Sequence, residues 1–98
     1  MPAEIKVNTV AEHVGTEFVV QDESSSGFAL TLTSIVEHAK TEHQETFSLF
    51  FHGPSDPFLS QGIHKLKHDR LGEMEVFLVP IAKDKDGFQY EAVFNHVF

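Results

Sequence analysis

The sequence predicts a mainly β protein, a small antiparallel barrel or curled sandwich of about six strands with one short N-terminal helix. Three observations carry this expectation. Short apolar runs of period two recur between clusters of Gly, Pro, Ser and charged residues, as strands joined by close turns do. Only one short segment has helical spacing. Ten of the eleven aromatic residues are phenylalanine and there is no tryptophan, so most of the aromatic area can be buried without a polar atom to satisfy. The 98 residues make one domain, 1–98, with little room for a second core.

The helix is placed on "NTVAEHVG", Asn8–Gly15. Thr9 and Glu12 have the spacing of a capping box, Gly15 supplies a stop, and Val10 and Val14 share one face. "TEFVVQD" reads as the first strand, with Phe18 and Val20 on one side, and "DESSSG" as a polar turn. In "FALTLTSIVEHA", Phe28, Leu30 and Leu32 alternate with Ala29, Thr31 and Thr33. After the acidic turn "KTEHQE" comes "TFSLFFH", with Phe47, Leu49 and Phe51 on one face and Phe50 and His52 on the other. "GPSDPFLSQG" is an ordered surface loop. "IHKLKH" sets His64, Leu66 and His68 against Ile63, Lys65 and Lys67, and the lysine face must be wet. "DRLGE" reverses the chain. The last two strands meet through "KDKDG", and Pro80, which cannot donate to a ladder, marks a bulge, a bend or an edge.

Composition excludes several functions. Seven Lys and Arg stand against fifteen Asp and Glu, a formal charge of −8, which disfavours nucleic acid and anionic membrane surfaces. With no cysteine, neither a disulfide nor a thiolate zinc site can form. "MPAEIKVNTV" lacks the basic start and apolar core of a signal peptide. The longest apolar run, Val76–Ala82, is far shorter than the roughly 20 residues of a membrane helix. A cytoplasmic protein is expected.

The residues that could carry chemistry are few. His64 and His68 have the i, i+4 spacing of a helical zinc pair, but on a strand four residues span roughly 13 Å, too far for one ion. No metal site or cofactor is expected. His68 beside Asp69 could form a catalytic pair with Ser55 or Ser60, yet neither serine lies in a nucleophile elbow. The alternative is a ring nitrogen that fixes the "DRLG" reversal. Glu73 and Glu75 share a strand face as solvated carboxylates. Asp84, Asp86 and Gly87 suggest a calcium loop only faintly, because lysines intervene.

An apolar surplus stands out instead. Phe50, Val76, Leu78, Val93 and Val97 are hard to fit into one core with Phe51, Phe77 and Phe94: either the N-terminal helix and the proline loop cover them, or they form a contiguous exposed patch of the kind that marks an interface. The first functional reading is therefore a non-enzymatic interaction or assembly module with these five residues as anchors. The alternative is a small-molecule binder or hydrolase at the barrel mouth, using His64, His68, Asp69 and Tyr90.

From "FHGPSDPFLSQGIHKLKHDRLGEMEVFLVPI" to "YEAVFN", with the "GTEFVV" start, the chain resembles the small bacterial family called domain of unknown function 6916. The marks are Gln61–Gly62, His68, Leu71–Gly72, Phe77–Pro80 and Glu91–Asn95. His52 and His64 depart from it, standing where the family has an arginine-like and a tyrosine-like residue. No catalytic residues come with the resemblance. It implies an accessory role beside phage-tail-collar-like fibre proteins, with a fibre subunit or a second copy as partner.

Overall fold

The computed structural model describes residues 10–21, 26–55 and 58–97. They form six antiparallel strands in one sheet: β1 (Glu17–Gln21), β2 (Ser26–Lys40), β3 (Gln44–Gly53), β4 (Gly62–His68), β5 (Gly72–Asp84) and β6 (Gly87–Val97). Hydrogen-bonded neighbours run in the order β1-β2-β3-β6-β5-β4, and β1 pairs β4 to close the sheet into a ring.

Each inward row follows from alternation. Phe18 and Val20, Leu30 and Leu32, Phe47, Leu49 and Phe51, Leu66, Tyr90 and Ala92 are all buried. Phe18 meets Phe51 edge to face at 5.2 Å, and Phe47 stacks on Phe94 at 5.5 Å. Fully burying one such ring contributes roughly 1.5–3 kcal/mol, so these rings carry much of the driving force for closing the ring of strands.

Bulges bend the long strands. The β2–β3 register shifts at Thr33 and again at His38, and the β5–β6 register shifts at Ile81. The last lies next to Pro80, where a missing amide was expected to interrupt regular pairing. The ladders are uneven in length. β3 and β6 pair without interruption from Gln44↔Val97 to Gly53↔Phe88. β5 and β6, by contrast, part beyond Val79↔Glu91.

Two expectations are corrected. No N-terminal helix is supported: Asn8 and Thr9, with the capping box, lie outside the described residues. Val10 and Ala11 are helical, but residues 12–15 are turn. Two i→i+3 bonds, His13 N–H to Val10 O and Thr16 N–H to His13 O, tighten this stretch. Gly15 N–H then bonds Leu32 O at 2.7 Å, turning the chain onto β2. Val10 is buried and Val14 is 44 % exposed, so the two valines do not share a face.

The second correction is the parity of β5. Met74, Val76 and Leu78 point inward, while Phe77 and Ile81 are exposed. β4 decides this through the register Leu66↔Met74, Lys65↔Glu75 and Ile63↔Phe77. Leu66 must be buried and Lys65 must be wet, and directly paired residues lie on the same face of the sheet.

Candidate functional sites

The five expected anchors separate. Val76 is 2 % and Leu78 0 % exposed, so both are core and neither can meet a partner. Phe50 is half-buried on the outer face of β3. Val93 and Val97 are 60 % and 63 % exposed on β6, and Ser48↔Val93 and Gln44↔Val97 place them along the β3 ladder. Phe77, Ile63 and Val36 are outward apolar residues that the sequence reading did not single out.

β6 is also a strand with one open side. Beyond Glu91 it is paired to β3 alone among the described residues. β2 has a similar one-sided stretch beyond Leu32. The two edges differ. The β2 edge carries bulges at Thr33 and His38 and the charges of Glu37 and Lys40, devices that discourage strand addition. From Ala92 to Val97, β6 has no Asp, Glu, Lys, Arg or Pro and its ladder to β3 has no bulge.

A polar relay lies on the outer face beside Val93. Ser48 Oγ donates to Glu91 Oε2 at 2.8 Å. Its single proton thus used, it accepts from His38 Nε2–H at 2.6 Å. Ser48 is buried, so the relay pins the His38 bulge onto β3 and β6 and offers no accessible nucleophile. The sequence gives no signal for it, because the partners lie 10 and 43 residues apart.

The four residues of the alternative site hold different parts of the chain. His68 closes one end. Thr16 Oγ1 donates to His13 O at 2.6 Å, so it accepts from His68 Nε2–H at 2.9 Å. His68 Nδ1 accepts the amides of Arg70 at 3.0 Å and Leu71 at 3.2 Å. This arrangement requires the neutral ring with its proton on Nε2. Burial, reinforced by His13 at a ring distance of 4.6 Å, holds its pKa below the usual 6.5; Arg70 adds to the lowering and Asp69 opposes it. The ring therefore fixes the reversal, and Asp69 and Arg70 reach solvent beside a recess of about 450 Å³.

Tyr90 and His64 hold a different segment. The Tyr90 hydroxyl accepts the Leu59 amide at 3.0 Å, and His64 Nε2–H donates to Ser60 O at 2.7 Å. Burial raises the Tyr90 pKa, with the Leu59 amide pulling the other way. Both side chains thus order the loop before β4. Ser60 offers its carbonyl to His64, so this contact does not activate its hydroxyl.

At the β5–β6 turn, Asp84 Oδ1 accepts the Asp86 and Gly87 amides at 2.8 and 2.9 Å. The Asp86 amide first, then His52 at 3.4 Å, hold its pKa below the usual range. Among the described residues no group of three or more His, Cys, Asp or Glu is placed to hold a metal. Nor is any helix among them long and apolar enough to cross a membrane.

No curated protein and no solved structure matches the chain. One family model matches residues 5–94, a stretch that takes in the Gly15 turn, the "LGEMEVFLVPI" strand and the closing strand as far as Phe94, and the chain belongs to that family, described as a domain of unknown function (DUF6916).

Proposed function

We propose that this protein is a non-enzymatic interaction or assembly module that receives an extended segment of a protein partner along the β6 edge. The observation that carries the reading is the contrast among the one-sided stretches: β2 is bulged and charged and β5 from Gly72 to Leu78 carries Glu73 and Glu75, whereas β6 from Ala92 to Val97 is regular and uncharged. A strand edge left without protection is suited to strand addition. Val93 and Val97 would supply the exposed apolar contacts, with Phe50 diagonal to Val93 on β3. The formal charge of −8 favours a partner segment with basic residues. A phage-tail-like fibre subunit in the cytoplasm, before assembly, is the partner class that the family resemblance suggests. We read the closed ring as a small antiparallel barrel, a rigid support for that edge.

The test compares wild type with Val93→Lys and Val97→Lys in affinity capture from the native host, identifying bound proteins by mass spectrometry. Both sites are already exposed, so the variants should fold, which circular dichroism checks. Capture of a fibre-type protein by wild type and its loss from both folded variants supports the reading. Equal capture by all three would remove the β6 edge from consideration.

A further inference from the structure

The β4–β5 pair carries a second surface, separate from the β6 edge. On its outer face the register sets Ile63 beside Phe77, Lys65 beside Glu75 and Lys67 beside Glu73. All six side chains are exposed, Ile63 at 66 % and Phe77 at 49 %. Two cations and two anions make this face locally neutral on a chain with a formal charge of −8. The net negative charge opposes association of two copies, and this face adds nothing to that repulsion.

The arrangement is also self-complementary. The cations lie on β4 and the anions on β5, with one apolar residue from each strand at the same end. Consider a two-fold axis lying in the plane of contact, parallel to the strands and midway between them. It lays β4 of each copy over β5 of the other. Lys65 then faces Glu75 of the second copy, Lys67 faces Glu73, and Ile63 packs on Phe77. A two-fold axis across the strands would instead set lysine on lysine and glutamate on glutamate. Homodimers favour two-fold contacts in which one patch meets itself, and face-packed sheets keep their strands within about 30° of one another.

We propose that this face is the contact between two copies of the chain, related by the axis parallel to β4 and β5. Six side chains per copy are far fewer than the roughly 20–30 of a standard interface. The dimer is therefore weak, with half-association expected at tens to hundreds of micromolar, on the order of 5–6 kcal/mol.

The test is sedimentation velocity on the full chain from about 10 µM to about 1 mM, a range that spans that affinity. Wild type, Lys65→Glu, Glu75→Lys and a 1:1 mixture of the two variants are compared. Wild type should shift from monomer toward dimer. Each variant alone should stay monomeric, because like charges then meet across the axis. The mixture should recover dimer, because one variant presents only carboxylates where the other presents only ammonium groups. A folding defect cannot produce that recovery. Wild type monomeric throughout overturns the proposal. So does dimerisation of either variant at wild-type strength, including a dimer that Val93→Lys abolishes, which would assign self-association to the β6 edge.

Discussion

His68 offers the most direct check on the reasoning about its reversal. Its ring makes three hydrogen bonds, two of them to the backbone amides that turn the chain from β4 into β5. It is only 4 % exposed. Replacing it with alanine removes all three bonds. Each is worth about 1 kcal/mol net where water can reach the freed partner, as the adjoining recess allows. Lost burial of the ring adds roughly 1 kcal/mol. The sum is about 4 kcal/mol, or a fall in Tm of roughly 16–32 °C for a domain of this size. Asparagine places an acceptor where Nδ1 stands and can keep the two turn amides, so His68→Asn should lose about half as much.

The same geometry sets a sign with pH. The folded pKa of His68 is below 6.5, so the folded state favours the neutral ring. The unfolded chain takes up the proton first as pH falls. The contribution is full above pH 6.5 and is lost as pH drops from 6.5 through the lowered folded value. One proton gives a slope of at most about 1.4 kcal/mol per pH unit. Urea denaturation of wild type and both variants between pH 7.5 and about 5 measures this. Wild type should lose stability across the window faster than His68→Ala. Equal slopes, or asparagine as damaging as alanine, would refute the assigned tautomer and its role.

Two further outcomes follow from packing and charge. A Cβ at Gly87 would collide with the backbone carbonyl of Gly53, and Gly87 has φ +151°. Gly87→Ala should therefore cost several kcal/mol in chemical denaturation, whereas Gly15→Ala, at φ +93° with open space around it, should cost only about 1–2 kcal/mol. Titrating all seven histidines moves the formal charge from −8 to at most −1. Precipitation assays should then show a solubility minimum at pH 5–6, close to the sequence pI of about 5.2, where charge repulsion between molecules is weakest, and constant solubility across that range would contradict it.

Most strand positions were readable because alternation is a local property. Phe47, Leu49 and Phe51 lie on one side of β3 whatever surrounds them. The disruption beside Pro80 was equally local, since the missing amide travels with the residue. The inward face of β5 was not local. Val76 and Leu78 compete with Phe77 and Ile81 on equal hydrophobicity, and the lysines of β4 break the tie across the His68↔Gly72 reversal. The N-terminal stretch failed for a related reason. Val10 and Val14 fit a helical stripe, but the Gly15–Leu32 bond captures the chain for the sheet.

Charge, the lack of cysteine and the alternation of apolar residues were thus fixed by the order of amino acids alone, and they determined an acidic, mainly β chain without thiolate chemistry. Only the tertiary structure decided which apolar residues are core, which histidine nitrogens carry protons and which strand edge stays open. Each of these depends on partners elsewhere along the chain: Lys65 on Glu75, His68 on Thr16, and β6 on where β5 leaves it. Pairing across the sheet, rather than the composition of any one strand, separates the interior of this protein from its surface.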